Sequence, residues 1–442
     1  MSKSLQILLR EKAVRFELLF FVIISLRVNI FDKFVGFKYI TDMKRFLKTI
    51  LAFTMGMLTL ASCCNDAKET KAKYVFLFIG DGMGAAHVAV TESYLSYKAG
   101  KLGGEQLLMT TFPYYGTATT HSANRHITCS SAAGTAIACG EKANNGTVGI
   151  NKDSVSIKSV AYCLHEEGYN VGIISSVPIN HATPASFYAH NINRGNYYDI
   201  ASQIPGSGFE FFASAGFLDH TDKKGDKEAI NKVIESQDYI VCYGLEEFNS
   251  RATDKDKVVF CQASNKEESA ANYVSDAKTE EDITLAKMVE MGIESLEDDE
   301  PFFIMCEGGT IDWAAHDNRT MSMVNDMISF DQAIKVAYDF YLQHPDQTLI
   351  IVTADHETGG LTLGAGSSTI KWEKLESEWL ANDKKDITDE DTNRAHNKSC
   401  SIGWTTGSHT GSAVPVFAIG KGAEKFMGRI DNTDIKGKIL GE

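Results

Sequence analysis

The sequence predicts an α/β fold, with a doubly wound, mostly parallel central sheet, helices on both faces and peripheral insertions. Five short runs are almost continuously apolar, which is typical of strands buried on both faces. They lie at 74–79, 171–175, 302–306, 349–353 and 414–419. Helical patterns lie between these runs, and alternation of strands and helices is the pattern of a parallel sheet covered by helices.

The composition is that of a globular protein with a large core. The chain has 442 residues, of which 43% are hydrophobic and 23% are charged. Its net charge of −15 argues against a nucleic-acid-binding protein, because that function needs a basic face. An anionic substrate would therefore need a local source of positive charge.

The first 62 residues carry a predicted export signal and lie outside the predicted fold. Basic residues precede an apolar run at 50–60, and the run ends in Leu60-Ala61-Ser62-Cys63. This pattern resembles a bacterial lipoprotein signal peptide, in which Cys63 becomes the lipidated first residue of the mature chain. An ordinary secretory signal is the alternative, and Cys63 would then have no special role. Both interpretations predict an exported protein of the cell envelope, periplasmic or at the surface, with a lipid anchor as its only membrane contact.

The predicted organisation is one catalytic domain behind this signal. We expect the true start of the protein to follow residue 42, so that residues 1–42 are not part of it. Residues 43–62 would then be the signal peptide. A linker at 63–73 then leads into a single domain at 74–442. Two polar stretches, near 222–282 and 371–399, are predicted to be insertions in that domain.

Helical periodicity marks two helices in particular. Ile157, Val160, Ala161 and Leu164 share one helical face, and Gly168 can end that helix. A second apolar stripe consists of Met327, Phe330, Ile334, Ala337 and Tyr341. Stripes of this kind are core-facing rather than functional.

Polar side chains follow four of the predicted strands. The carboxyl ends of parallel strands meet at one edge of a sheet, where such proteins place their working residues. Aspartate, glutamate and histidine are ligands that suit zinc and magnesium. The candidates after the strands are Asp81, His181, Thr183, Glu307, Asp312, His316, Asp355 and His356, and His409 precedes the last run. Asp312 and His316 are four residues apart, which places both on one face of a helix.

A segment of small residues at 128–140 adds a candidate nucleophile. Ser130 is predicted at a helix N-terminus, where free N–H groups and the helix dipole favour an anion. Taken alone, the segment fits a capping serine on a tightly packed helix better than a nucleophile.

Taken together, these motifs resemble the alkaline phosphatase family. The resemblance covers about residues 74–424 and rests on the order and spacing of several short motifs. They are Gly80-Asp81-Gly82-Met83-Gly84, Cys129-Ser130 with Ala132-Ala133-Gly134, His181-Ala182-Thr183-Pro184 with Arg194 thirteen residues after His181, Glu307-Gly308 with Asp312 and His316, Thr353-Ala354-Asp355-His356, and His409-Thr410-Gly411.

The resemblance implies phosphomonoester hydrolysis by two Zn²⁺ ions and one Mg²⁺ ion. Ser130 matches the nucleophile, and Arg194 matches the guanidinium that grips two phosphate oxygens. The implied ligands are Asp312, His316 and His409 for one zinc, Asp81, Asp355 and His356 for the other, and Asp81, Thr183 and Glu307 for magnesium. Small phosphomonoesters would be the substrates, and the resemblance also admits a homodimer.

The chain departs from the family pattern at three positions. Cys129 precedes the nucleophile where many members have aspartate, which leaves Arg194 without that partner. His181 and Trp313 replace residues near the third metal, so the metal preference there is open. Ser131 is the alternative nucleophile, although its place in the segment fits the family register less well than that of Ser130.

Three other functions on the same scaffold fit the sequence less well. A sulfatase would need a Cys/Ser-x-Pro-x-Arg signature, which the segment at 129–133 lacks. A phosphodiesterase is expected to lack the Arg194 clamp, because a diester has fewer free oxygens. A non-catalytic surface lipoprotein would be expected to have lost at least one metal ligand, and none is lost here.

Overall fold

The computed structural model describes residues 71–221, 225–252, 257–266, 273, 282–298, 300–382 and 389–442. The predictions for residues 1–42 and 43–62, for most of the 63–73 linker and for Cys63 fall outside these ranges. Residues 71–442 form one compact unit. Within the described ranges, none of the helices has both the length and the apolar character needed to cross a membrane.

Ten of the described strands form the main sheet, and four two-residue strands form two small pairs. The strands are β1 (Tyr74–Gly80), β2 (Tyr114–Thr119), β3 (Asn170–Ser175), β4 (Phe211–Ser214), β5 (Tyr239–Tyr243), β6 (Lys257–Cys261), β7 (Phe302–Gly308), β8 (Thr348–Thr353), β9 (Glu357–Thr358), β10 (Thr362–Leu363), β11 (Ile402–Gly403), β12 (His409–Thr410), β13 (Val414–Gly420) and β14 (Gly428–Asp431).

The described helices alternate with these strands. They are α1 (Ala85–Lys98), α2 (Ser130–Cys139), α3 (Val160–Glu166), α4 (Ala182–Ala185), α5 (Tyr197–Ala201), α6 (Ile204–Ser207), α7 (Ile230–Glu235), α8 (Gly244–Arg251), α9 (Leu285–Leu296), α10 (Thr310–His316), α11 (Thr320–Gln343), α12 (Trp372–Ala381), α13 (Glu390–Ser399) and α14 (Asp434–Leu440).

The main sheet confirms the predicted parallel architecture. Its strand order is β14-β2-β13-β8-β1-β7-β3-β4-β6-β5. The pairs β8–β1, β1–β7, β7–β3 and β3–β4 are parallel, and β13 runs antiparallel to both of its neighbours. Every residue of β1, β7 and β8 is buried, so packing covers both faces of the sheet centre, as the continuous apolar runs predicted.

The strand register brings the predicted site residues to the same edge. Ile79 of β1 lies level with Glu307 on one side and with Thr353 on the other. Ser175, the last residue of β3, also lies level with Glu307. The residues that follow these strands therefore meet at one edge, which agrees with the prediction from strand ends.

The two predicted helices form, one with a shifted start. Helix α11 buries Met327, Phe330, Ile334 and Ala337, whereas Tyr341 is only partly buried. Helix α3 begins at Val160 rather than at Ile157. Ser159 caps it, because its hydroxyl oxygen accepts the N–H of Tyr162 at 3.3 Å. The helical prediction for Ile157 was therefore wrong.

The two predicted insertions lie at different places in the fold. The stretch near 222–282 supplies β5 and β6, which extend the central sheet at one edge. The stretch near 371–399 supplies α12 and α13. Trp372 is buried there and donates its indole N–H to the Ser93 hydroxyl at 3.0 Å.

Candidate metal centre and nucleophile

Three groups of carboxylates and imidazoles lie at the predicted edge of the sheet. Among the described residues, these are the groups whose ligand atoms lie within 4.8 Å of one another. They are Asp312 with His316 and His409, Asp81 with Asp355 and His356, and Asp81 with His181 and Glu307. The structure thus brings together all of the predicted carboxylate and histidine ligands, with Asp81 shared by two groups.

The first group joins helix α10 to the strand β12. His316 Nε2 lies 3.3 Å from Asp312 Oδ2, and the two residues are one helical turn apart. His316 Nδ1 lies 2.7 Å from the Gly407 carbonyl, and His409 Nδ1 lies 2.9 Å from the Thr128 carbonyl. A carbonyl oxygen only accepts, so each Nδ1 carries a proton, and each Nε2 presents a lone pair when its imidazole is neutral.

His316 Nε2 and His409 Nε2 lie 3.1 Å apart, so in the neutral imidazoles their lone pairs face each other. Two acceptors at that distance repel unless a proton or a metal ion lies between or beside them. Asp312 Oδ1 is 3.7 Å from His409 Nε2, which adds a negative atom to the same space. A divalent cation fits this donor set, because two imidazoles and a carboxylate are common zinc ligands.

The second group surrounds His356, which is fully buried. His356 Nε2 lies 3.1 Å from Asp355 Oδ2 and 3.3 Å from Asp81 Oδ1. Both carboxylate atoms are buried without a hydrogen-bond partner. Asp355 Oδ1 accepts the backbone N–H groups of Gly82 at 3.1 Å and His356 at 2.9 Å, which fixes the carboxylate plane. The atoms left over are those that a metal would use.

The third group lies beside β3 and the short helix α4. Glu307 Oε1, Asp81 Oδ1 and His181 Nδ1 are buried without partners, whereas Glu307 Oε2 accepts the Ser175 hydroxyl. Thr183 Oγ1 is 3.4 Å from Asp81 Oδ2, so the predicted threonine is also adjacent to this group. His181 was predicted to lie near this site, and the structure places it among the candidate ligands.

The two candidate serines have different neighbours. Ser130 Oγ lies 3.2 Å from His356 Nε2, next to the second group. Ser131 Oγ instead contacts Cys129 Sγ at 3.2 Å. Ser130 is the first residue of the ten-residue helix α2, with Cys129 as its N-cap. Ser130 therefore lies at a helix N-terminus, as the small-residue segment predicted, and its hydroxyl faces the second group.

Arg194 has a partner that the family pattern does not predict. Its Nη2 donates to His181 Nε2 at 3.2 Å, and its backbone N–H donates to the Gly146 carbonyl at 2.8 Å. Trp313 packs edge-on against His181, with ring centroids 5.7 Å apart. His181 thus supplies Arg194 with a neutral acceptor, and Trp313 packs against its imidazole.

Comparison with known proteins decides the family. The family model for alkaline phosphatase matches residues 72–224 and 266–440. Alkaline phosphatase 3 of Bacillus subtilis (strain 168) is 30% identical, over 90% of this chain and 97% of its own. The structure of the alkaline phosphatase from the Antarctic bacterium TAB5 is 31% identical, with a TM-score of 0.68 over 84% of this chain and 97% of its own.

The chain belongs to the alkaline phosphatase family. Its members are phosphomonoester hydrolases that depend on metal ions, and this chain is such an enzyme. A histidine-to-glutamate variant of the TAB5 enzyme, 30% identical over the same 84% of this chain and 97% of its own with a TM-score of 0.68, has Mg bound in its M3 site. The phosphatase family therefore includes a member with bound magnesium.

The loop after β1 brings backbone close to two of the groups. Gly82 has a backbone φ of +74°, a value that residues with a side chain rarely adopt. A Cβ there would lie 2.9 Å from both Asp312 Oδ1 and Thr358 Oγ1. Glycine at this position lets the Asp81 loop pack against the Asp312 group.

Two residues at this alkaline phosphatase site were not predicted from the sequence. Ser175 ends β3 and donates to Glu307, and Thr358 donates its hydroxyl to Asp312 Oδ1 at 2.5 Å. Ser175 has a signal in the sequence, because it ends a predicted strand. Thr358 has a weaker one, since residues two apart in an extended segment share a face and Thr358 is two residues beyond His356.

The carboxylates carry more negative charge than a buried site tolerates without cations. Asp81, Glu307 and Asp355 have no exposed surface, and Asp312 is 3% exposed. Burial, reinforced by the charges of Asp355, Asp312 and Glu307, raises the pKa of Asp81 well above its usual value. Burial also raises the pKa of Glu307 to about 8, although the Ser175 hydrogen bond acts in the opposite direction.

The pKa values of the histidines at the site shift in opposite directions. Burial disfavours a charged His316, but its contact with Asp312 outweighs burial and raises its pKa to about 9. Burial and the neighbouring His356 lower the pKa of His409 to about 4, and burial and Arg194 lower that of His181 to about 3. His409 and His181 are therefore neutral near pH 7, as ligands or acceptors must be.

The Glu307 pKa leads to a prediction for the metal-free protein. A carboxyl whose pKa rises from 4.5 to about 8 on folding binds its proton more tightly in the native state. Its contribution to stability is present below about pH 4.5 and is lost as the pH rises to about 8. A Glu307→Gln variant cannot lose this proton, so its free energy of unfolding should fall less steeply across that window.

Urea unfolding in the presence of a chelator, at several pH values from about 5 to about 8, measures this difference. The difference between the two proteins in this pH dependence reports Glu307 together with its effect on the pKa of Asp81. The same dependence of the unfolding free energy on pH in wild type and Glu307→Gln would contradict the raised pKa of Glu307.

Proposed function

We propose that the chain hydrolyses phosphomonoesters through a phosphoserine on Ser130, at a site that holds two Zn²⁺ ions and one Mg²⁺ ion. The observation that carries the proposal is the position of Ser130 Oγ, 3.2 Å from His356 Nε2 and beside carboxylate atoms that have no other partner. A hydroxyl is a weak nucleophile by itself and needs a base or a metal to activate it.

The ligand assignment follows from the lone pairs. Asp312, His316 and His409 would hold one zinc, and Asp81, Asp355 and His356 would hold the other. Asp81, Glu307 and Thr183 would hold magnesium, with His181 beside them. When bound, these ions supply positive charge that favours the ionised serine, the leaving oxygen and the attacking water of the second step.

The protein's own groups position the phosphoryl group. Ser130 attacks phosphorus, so that an Oγ–P bond forms as the bond to the leaving alcohol breaks. Water then releases phosphate from the serine. Arg194 would hold two non-bridging oxygens with its planar fork, and the N-terminus of α2 would add the dipole of a ten-residue helix. Phosphoryl transfer depends mainly on positioning and electrostatics, so the proposed reaction needs few groups beyond these and the metal ions.

The role of His181 follows from its hydrogen bond. A neutral imidazole has one lone pair, and His181 Nε2 accepts from Arg194, so its Nδ1 carries the proton in this arrangement. The same imidazole cannot accept from Arg194 and bind a metal through Nδ1. We therefore assign magnesium to Asp81, Thr183 and Glu307, with His181 as the partner that orients Arg194 in place of the family's aspartate.

The first test compares substrates on one preparation of known metal content. We expect bound zinc and a faster rate on an aryl phosphate than on the bis-aryl phosphate. Arg194→Ala should lower kcat/KM for the monoester roughly 10- to 100-fold, since a hydrogen bond to a charged group is worth roughly 1.5–3 kcal/mol. The diester rate should fall less. A preparation without zinc, or one that prefers the diester, would overturn the proposal.

The nucleophile has its own test, in which the adjacent serine serves as control. Ser130→Ala should abolish the phosphoenzyme trapped from a labelled substrate at acid pH, because no oxygen remains to take the phosphoryl group. Ser131→Ala should retain the phosphoenzyme, because its hydroxyl contacts Cys129 rather than the metal ligands. Label that persists in Ser130→Ala would move the nucleophile to another residue.

We also propose that the enzyme is exported and anchored by lipid at Cys63. The support is the sequence alone, with Lys44, Arg45 and Lys48 ahead of the apolar run at 50–60 and the motif that ends in Cys63. Expressed in a bacterium, the wild type should incorporate labelled fatty acid and fractionate with membranes. Cys63→Ala should lose both properties, and a variant that keeps the label would contradict the anchor.

A further inference from the structure

We propose that Thr358 is a positioning residue that joins the two zinc sites through a single hydroxyl group. The proposal rests on the two-zinc site proposed above and adds a residue that the ligand motifs do not include. Thr358 has no exposed surface, and its side chain lies between a ligand of one group and a ligand of the other.

The hydroxyl has contacts on both sides. Thr358 Oγ1 lies 2.5 Å from Asp312 Oδ1, in the first group. It also lies 3.2 Å from His356 Nδ1, in the second group. A carboxylate only accepts, so the single hydroxyl proton of Thr358 goes to Asp312.

The direction of the second bond follows from the first. Because the proton of Thr358 is used on Asp312, its oxygen can only accept from His356, and His356 Nδ1 must carry the proton. In the neutral imidazole, His356 Nε2 is then left as a lone pair that faces Ser130 Oγ, Asp81 Oδ1 and Asp355 Oδ2. Thr358 thus selects the tautomer of His356 in which Nε2 can bind a metal.

The backbone of Thr358 contacts two further segments that carry metal-ligand candidates. In the β9–β12 pair, Thr358 lies opposite His409. Its N–H donates to the Gly82 carbonyl at 3.0 Å, next to Asp81. The neighbouring Glu357 accepts the Thr410 hydroxyl, which holds the same two strands together. Thr358 therefore contacts ligands or ligand-bearing segments of both zinc sites, in a place that is closed to water.

Loss of the hydroxyl should affect both sites together. Without it, the alternative tautomer becomes favourable, because a proton on His356 Nε2 could reach Asp81 or Asp355. That proton would compete with zinc, and Asp312 would lose its short hydrogen bond. Replacing groups that orient metal ligands typically costs 10- to 100-fold in metal affinity.

The experiment measures zinc affinity as well as activity. Thr358→Val keeps the shape and removes the hydroxyl, and Thr358→Ser keeps the hydroxyl. Thr348→Val is the matched control, since Thr348 is equally buried, starts β8 and uses its hydroxyl on the His344 carbonyl at 2.9 Å. Zinc affinities come from competition with a chromophoric chelator, and the His356 tautomer comes from imidazole ¹⁵N shifts.

We expect Thr358→Val to bind both zinc ions 10- to 100-fold more weakly, with Thr358→Ser and Thr348→Val close to wild type. If Thr358→Val does not fold, Thr358→Ala tests the same loss with less bulk. Wild-type affinity at both sites in the variant without the hydroxyl would overturn this proposal alone. A wild-type protein that takes up no zinc would instead overturn the proposed function on which it rests.

Discussion

The concentration of buried negative charge at one edge of the sheet is the constraint on which this structure depends. Asp81, Glu307, Asp312 and Asp355 lie together with almost no access to water, in a chain that is already acidic. Like charges in a buried space are costly unless protons or metal ions neutralise them. The raised pKa values of Asp81 and Glu307 are the response of the metal-free chain, and divalent cations are the alternative that the unpartnered atoms accommodate.

The rest of the fold serves to hold those charges in place. Parallel strands in register bring Asp81, Glu307 and Asp355 to one edge, and α10 adds Asp312 and His316 on one helical face. Backbone carbonyls fix His316 and His409 as Nδ1–H tautomers, so that their Nε2 atoms converge. Cations that neutralise these carboxylates would also supply positive charge where the phosphoryl group binds. An acidic protein can therefore act on an anionic substrate.

Much of the fold and of the site was predictable because both depend on local patterns. Continuous apolar runs predicted the central strands within a residue or two, since a strand buried on both faces leaves a strong signal. Ile157 was misassigned because periodicity does not show where a helix is capped. The segment near 222–282 gave a weak signal, and its edge strands became visible only through the pairing of β6 with β4 and of β5 with β6.

The sequence by itself determined the family resemblance, the parallel sheet and the carboxylate and histidine candidates, because ligand chemistry and strand ends are written in residue type and spacing. Tertiary structure alone decided how those groups face one another. It set the Ser130 hydroxyl beside His356, paired Arg194 with His181 and placed Thr358 between the two ligand groups. These contacts join residues far apart in the chain, and a hydrogen bond depends on distance and direction in space, which spacing along a sequence does not specify.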